Sequence, residues 1–320
     1  MIADPEQAED GGAAPASRPA GASAPGSGDG WSFGEGDEIL PGRSVLTKLG
    51  GGHRYEAYLA WDAHLRTTVV AKLVRPGRVA EQETLLGLAE EAEALAALNH
   101  PVIVRCFGAE LGGPRPQLLL EHLEGPRLSS LIRRYGALGR EQLAPLAIQL
   151  AAAVHYMHAE GWVHLDIKPA NVIMGAPPRL IDLSVARRLE AAATIDQPIG
   201  TDSYMAPEQC LPAELGPVGP AADVFGLGVT LHRAATGERP FERGAADADS
   251  DRPEERWPQL AAPALPLEAD LPAAAAAAIG SCLAFEPAAR PTPAAVGEAF
   301  EAMLEALPKP RLGRIKPRWS

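Results

Sequence analysis

Residues 164–171 read His164-Leu165-Asp166-Ile167-Lys168-Pro169-Ala170-Asn171. Pro169 bars a helix here and the apolar residues are too few for a strand, so the stretch is a loop. An imidazole, a carboxylate, an ammonium and a carboxamide nevertheless fall within eight residues, at spacings of two, two and three. Those groups suit phosphoryl transfer. A carboxylate accepts a hydroxyl proton, an ammonium neutralises a migrating phosphoryl group, and a carboxamide helps to hold a metal ion beside a nucleotide. A surface turn with incidental charges has the same composition, so the surrounding chain decides between the two.

Towards the N-terminus, residues 140 to 160 place Leu143, Leu146, Ala147, Leu150, Val154 and Met157 on one stripe, which predicts a buried helix. His155 and His158 lie on it without a third ligand and read as packing residues. Before it, Gln117 to Glu121 is an apolar strand running into the polar His122-Leu123-Glu124-Gly125. Residues 81 to 98 carry Leu88, Glu91, Ala92, Leu95 and Leu98 at three- and four-residue steps, predicting a helix with a carboxylate on its inward face. Burying that carboxylate is costly without a cation. Lys72, in the β-branched strand Thr67-Thr68-Val69-Val70-Ala71-Lys72-Leu73, is the candidate partner. Asn99-His100-Pro101 stops the helix, and Val102-Ile103-Val104 begins another strand. Further upstream, Gly50-Gly51-Gly52-His53-Arg54-Tyr55 joins two strands, as a plain hairpin turn or as a loop whose amides lie over phosphates.

Towards the C-terminus, Arg179-Leu180-Ile181 is a short strand ending in Asp182, eleven residues after Asn171. Gly200-Thr201-Asp202-Ser203-Tyr204-Met205-Ala206-Pro207-Glu208 follows, then Asp223 opening an apolar helix, then Arg290 in Pro287-Ala288-Ala289-Arg290-Pro291. Residues 242 to 258 read as an acidic, proline-bearing mobile loop. Thr292-Pro293 caps a last helix with Val296, Phe300, Met303 and Leu307 inward.

Taken in order over roughly residues 40 to 307, these motifs resemble a bacterial eukaryotic-like (Hanks-type) Ser/Thr protein kinase. The resemblance implies an α+β, two-lobed fold: a β-rich N-lobe over 39–123 and a larger, mainly helical C-lobe over 124–308. It implies Asp166 as base, Lys168 as the phosphate-stabilising cation, and Asn171 and Asp182 as metal ligands. Lys72, in the third strand of the kinase fold, grips the α- and β-phosphates and pairs with Glu91, while Thr201 bonds Asp166 and Lys168. Leu49, Gly50, Gly51, Gly52, Ala57, Ala71 and Ile173 would bind the nucleotide, Leu120 on the fifth strand would guard the back of the adenine pocket, and backbone groups of Glu121 and Leu123 would bond the adenine edge. Glu208 would pair with Arg290, and exchanging their charges would restore part of the loss caused by removing either. Asp223 would brace the catalytic loop from below. The implied reactants are ATP with Mg2+, for which Mn2+ can substitute, and a Ser/Thr hydroxyl of a protein, the chain itself included.

Four departures from the family pattern stand out. Tyr55 replaces the third glycine of the glycine-rich loop, Ala57 a valine, Ser184 the glycine after Asp182-Leu183, and Leu165 the arginine that in many members binds a phosphate on the activation segment. Leucine has no donor for a phosphate, so phosphorylation at Thr194, near Arg187 and Arg188, is not expected to be the switch. A pseudokinase serving as a nucleotide-binding scaffold is the alternative that Tyr55, Ala57 and Ser184 support. Against it stand Lys72, Glu91, Asp166, Lys168, Asn171 and Asp182, all present. A small-molecule phosphotransferase is disfavoured by the complete 200–208 segment, and the acidic loop or tail leaves room for a second role in partner binding.

Composition narrows the setting. A net charge of −12 argues against a nucleic-acid binder. Three scattered cysteines, Cys106, Cys210 and Cys282, suggest neither a disulfide framework nor a zinc site and fit a reducing cytoplasm. No stretch is long and apolar enough to span a bilayer, so a soluble, cytoplasmic protein is expected. Residues 1–38, rich in Gly, Ala and Pro, are expected to be disordered, with Trp31 and Phe33 exposed in that tail; 309–320, with five basic residues, is expected to be a solvated end.

Overall fold

The computed structural model describes residues 30–245 and 252–308. Most of the N-terminal tail, the middle of the acidic insertion and the basic C-terminal tail therefore lie outside the described residues.

Alternating apolar residues build the first unit, a six-stranded antiparallel sheet in the order β1-β2-β3-β4-β6-β5. Its strands are β1 (Glu38–Leu40), β2 (Arg43–Gly51), β3 (Tyr55–Asp62), β4 (Thr67–Val74), β5 (Cys106–Glu110) and β6 (Gln117–Glu121). Because side chains alternate between faces, Tyr58, Ala60, Val69, Ala71 and Leu73 share one face, clustered with Ile39 and Val45. The opposite face carries Tyr55, Ala57, Val70 and Lys72, with Ala57 paired to Lys72 and Val70 to Leu120. Against that face lies α1 (Gln82–Ala97), which buries Leu88, Glu91 and Leu95.

Three expectations change here. Trp31 and Phe33 are not exposed. The Trp31 indole donates to the Val74 carbonyl at 2.8 Å, Phe33 packs edge-on against Tyr58, and the Arg115 guanidinium lies over both rings at 5.6 and 5.0 Å. Two aromatic rings carry enough apolar area to dock a segment whose overall composition is that of a disordered chain. The extra edge strand β1 makes the strand of Lys72 the fourth rather than the third, and that of Leu120 the sixth rather than the fifth. Val102–Val104 end a buried turn and make an isolated parallel bridge to Leu180 rather than starting a strand, through Val104 N to Leu180 O (3.0 Å) and Leu180 N to Val102 O (2.6 Å). That turn ties the sheet unit to the segment bearing Asp182.

Helices make the second unit: α2 (Leu128–Tyr135), α3 (Arg140–Ala159), α4 (Leu189–Ala192), α5 (Pro207–Cys210), α6 (Pro212–Leu215), α7 (Pro220–Thr236), α8 (Pro253–Arg256), α9 (Ala273–Cys282) and α10 (Pro293–Glu305). All six residues of the predicted α3 stripe are buried. Buried nearly all round, α7 is the central helix, and Gly237, with φ of 87°, ends it in a left-handed conformation that favours glycine. The Thr292 hydroxyl accepts from Ala295 N and caps α10, whose Val296, Phe300 and Met303 are buried, while Leu307 lies beyond the helix end and is half-buried. Among the described residues no helix is long and apolar enough to cross a membrane.

The insertion also departs from expectation. Its described part from Arg252 forms α8 and leads into a 3-10 turn (Pro258–Leu260); Trp257 within the insertion and Gln259 just beyond it are buried.

Candidate active site

The loop 164–171 hangs between two two-residue strands, β7 (Trp162–Val163) and β8 (Val172–Ile173). β8 pairs with β9 (Arg179–Leu180), and β7 with β10 (Arg187–Arg188). Leu165 has φ of 63°, a left-handed conformation that costs a non-glycine residue about 1–2 kcal/mol. Three hydrogen bonds hold it there. The buried Asp223 carboxylate accepts from His164 N (2.8 Å) and Leu165 N (2.7 Å), and Gln209 Nε2 donates to Leu165 O (2.9 Å). Asp223 also meets His158 Nε2 at 2.9 Å, so His158 is a partner of the brace and not merely a packing residue; His155 is exposed. Burial opposes the charge on Asp223, but His158 and the loop amides hold its carboxyl below the usual aspartate range.

Backbone so fixed brings the polar groups of the loop together. Asp166 Oδ1 accepts from the Thr201 hydroxyl (2.7 Å), and Oδ2 from Lys168 Nζ (2.6 Å) and Asn171 Nδ2 (3.1 Å). Lys168 Nζ also donates to Thr201 Oγ1 at 2.6 Å. Asn171 donates a second bond to the Asp166 carbonyl at 3.0 Å, which orients its amide. Gly200, with φ of 122°, lets Thr201 approach so closely: a Cβ there would stand 2.8 Å from Leu165 O.

A second cluster is joined to the first through Ile181, the neighbour of Asp182: the Ile181 N–H donates to Asn171 O at 2.8 Å. Lys72 Nζ donates to both oxygens of Glu91 (2.8 and 2.7 Å) and to Asp182 Oδ1 (2.8 Å). Burial alone would pull the ammonium down, yet Glu91 and Asp182 outweigh it and raise the lysine well above its ordinary value. Glu91 is pushed up by burial, against the pull of Lys72. Both its oxygens nevertheless accept from the Lys72 ammonium. Asp182 is itself held below the usual range, Lys72 overcoming its burial. It takes φ of 68°, and its side chain is 40% exposed to the cleft.

The glycine-rich turn lies above. Gly50 has φ of 144°, and a Cβ on Gly51 would stand 2.9 Å from Tyr55 O, so both positions call for glycine. Tyr55 fills the place of the missing third glycine by tucking inward. Its hydroxyl donates to Thr84 O of α1 (3.0 Å), and Lys72 Nζ sits 5.0 Å over its ring.

Other proposed nucleotide contacts are divided by strand parity. Ala71 is fully buried on the face away from the cleft, among Tyr58, Val69 and Leu73, so it cannot line the nucleotide. Val70, which the sequence reading passed over, is on the cleft face with Lys72, and counting by twos from Lys72 finds it. Glu121 N–H is engaged by Arg105 O (3.0 Å) and its carboxylate by Arg179 (2.7 Å). No hydrogen bond among the described residues uses the Leu123 N–H or C=O. Leu120 is buried, Ala57, Leu123 and Ile173 are half-buried, and Leu49 is exposed. Arg187 and Arg188 reach Glu90 and Glu93 of α1 (3.3 and 2.8 Å), which joins the activation segment to that helix.

The protein kinase domain profile matches residues 43–302. The chain belongs to the protein kinase family. Among relatives of this kinase domain, "Serine/threonine-protein kinase PknB" of Mycobacterium leprae is 32% identical over 202 residues, 60% of this chain and 32% of that protein. "Probable serine/threonine-protein kinase PkwA" of Thermomonospora curvata is 34% identical over 208 residues, 63% and 28% of the two chains. "Serine/threonine-protein kinase pkn2" of Myxococcus xanthus is 32% identical over 215 residues, 64% and 25%. The chain thus matches about a third or less of each of these proteins. The two-lobed kinase fold expected from the motifs is the one observed.

Proposed function

We propose that this chain is an ATP-dependent Ser/Thr protein kinase that transfers the γ-phosphoryl group of ATP to protein hydroxyls, its own included. One observation carries the reading: the Asp166 carboxylate is held by Thr201, Lys168 and Asn171 opposite an intact Lys72–Glu91–Asp182 cluster. A pseudokinase would have lost at least one of these groups.

Each group takes a part in turn. Lys72, fixed by Glu91, binds the α- and β-phosphates, and the glycine-rich turn covers them with backbone amides. Val70, Ala57, Leu120 and Ile173 offer apolar walls to the adenine, and Leu123 its unengaged backbone groups. Asp166 orients the substrate hydroxyl and accepts its proton as the oxygen attacks phosphorus and the bond to the β-phosphate breaks. Lys168 offsets the charge on the phosphoryl oxygens in flight. Lys168 and Thr201 belong to the Ser/Thr pattern of the catalytic loop and activation segment.

The donor set fits a hard divalent cation. Asp182 offers a carboxylate with one oxygen outside its bond to Lys72, and Asn171, which donates to Asp166 through Nδ2, offers its carbonyl oxygen. Magnesium is commonly held by so few protein ligands together with substrate phosphates, and manganese takes similar oxygen donors. When bound, the cation would neutralise the β- and γ-phosphate oxygens. The protein is expected where nucleotide is available and disulfides are not formed, the cytoplasm, as its cysteine usage suggests.

The test is incorporation of label from γ-labelled ATP into a general protein substrate and into the chain itself, with magnesium and then manganese. Wild type should transfer label. Asp166→Asn should lose about 10²–10⁴-fold, and Lys72→Ala and Asp182→Asn most of the activity, with thermal melts unchanged enough to show a folded protein. Wild-type turnover by Asp166→Asn would refute the assignment.

A further inference from the structure

Thr201 touches both Asp166 and Lys168, so the placing of residues 201–206 sets the reacting carboxylate and the platform beside it. On the inner side, Gln209 Nε2 ties Leu165 O to Ile199 O, both at 2.9 Å. On the outer side, contacts come from Arg256 and Trp257, at the end of the stretch that composition presents as a mobile insertion, and from Gln259 just beyond it. Gln259 Nε2 donates to the carbonyls of Asp202 (2.8 Å) and Met205 (3.0 Å). The Asp202 carboxylate accepts from the Trp257 indole (3.0 Å) and from two nitrogens of Arg256 (3.1 and 3.2 Å). Arg256 stacks over the Trp257 ring at 4.5 Å, and that ring is buried with Met205 and Cys210.

These contacts share a physical logic. Residues 202–206 form a short 3-10 turn and a connector, where backbone carbonyls lack the partners that a helix or sheet supplies. A primary amide has two N–H bonds, and Gln259 serves two such carbonyls with them at 2.8 and 3.0 Å, the Cys210 sulfur lying farther off at 3.6 Å. Asp202, adjacent to Thr201, is fixed by a planar guanidinium and an indole that are themselves stacked, so little freedom remains to the side chain. Meanwhile Leu165, which has no donor for a phosphate, lies in an apolar cluster with Ala192, Tyr204 and Ala206. The platform is therefore secured from both sides within the chain, by the amides of Gln209 and Gln259, the Trp257 indole and the Arg256 guanidinium.

We propose that Arg256, Trp257 and Gln259 are positioning residues for phosphoryl transfer: a built-in brace that holds residues 201–206 against the catalytic loop and so sets productive docking of the protein substrate. The inference rests on the kinase reading. None of the three touches the cleft groups Lys72, Glu91 or Asp182, so their effect falls on the protein substrate and not on ATP.

The experiment pairs steady-state kinetics with amide hydrogen exchange on the full chain, using Trp257→Phe, which keeps the ring but not the donor, and Gln259→Leu, which removes both donors at similar volume. Asp202→Asn is the conservative control, retaining an acceptor for the indole. Trp257→Phe and Gln259→Leu should each raise the KM for a general protein substrate about tenfold, the order of a lost hydrogen bond, leaving the KM for ATP within about twofold. Exchange at the Tyr204 amide, bonded to Thr201 O at 2.7 Å, should quicken in step, and Asp202→Asn should lie between these variants and wild type. Unchanged exchange together with unchanged protein-substrate KM would overturn the brace, as would an ATP KM that rises in parallel. Should wild type transfer no phosphoryl group at all, the kinase reading falls while the exchange arm still decides the brace.

Discussion

Arg290→Ala is the substitution whose cost the structure defines most closely. Arg290 and Glu208 form a two-pronged pair at 2.6 and 2.9 Å, with side chains 0% and 2% exposed. The same guanidinium donates to three carbonyls, Ala284 (2.8 Å), Ala221 (2.9 Å) and Phe285 (2.8 Å), and lies over the Phe225 ring at 5.1 Å. Removing it strands a buried carboxylate and three carbonyls at once. Breaking such a pair costs about 3–5 kcal/mol, which at roughly 2 °C per kcal/mol for a domain of this size is a fall of roughly 6–10 °C in Tm. Glu208→Ala should cost less, because the guanidinium keeps its three carbonyl acceptors. Exchanging the two charges, expected from the sequence to restore part of the loss, should restore nothing, since a glutamate at 290 would face three carbonyl oxygens. Thermal melts of the two single variants and the exchanged double variant test this ordering. An Arg290→Ala melt within about 2 °C of wild type, or a double variant more stable than Arg290→Ala, would refute it.

Two further outcomes are expected. Phosphatase treatment, and separately Thr194→Ala, should change the initial rate on a protein substrate by less than about tenfold, roughly 1.4 kcal/mol, because Leu165 holds the activation segment by apolar packing; a larger, matching loss in both, with dephosphorylation followed by mass spectrometry, would show phosphorylation to be the switch. Asp223, whose folded pKa is depressed, stabilises the fold above the unfolded aspartate value of about 3.9 and loses that contribution as pH falls through the folded value; urea melts should therefore show the gap between wild type and Asp223→Asn widest at neutral pH and narrowing below about pH 4, and a gap that widens in acid would contradict this.

Much of the site was written in local spacing. Asp166, Lys168 and Asn171 meet because a six-residue span of loop cannot part them far, and Glu91 announced its need for Lys72 because a carboxylate on the inward face of a helix has to find a cation. Strand parity was present in the sequence too, and counting from Lys72 would have chosen Val70 over Ala71 for the nucleotide wall. The tertiary structure alone decided the rest. Trp31 docks on Val74, Trp257 and Gln259 grip residues 202–205, and Gln209 joins Leu165 to Ile199 across separations of ten to 57 residues. Most of these bonds end on backbone carbonyls. Every residue carries one, so the acceptor leaves no mark in the sequence, and the donor's purpose becomes visible only when folding brings the two together.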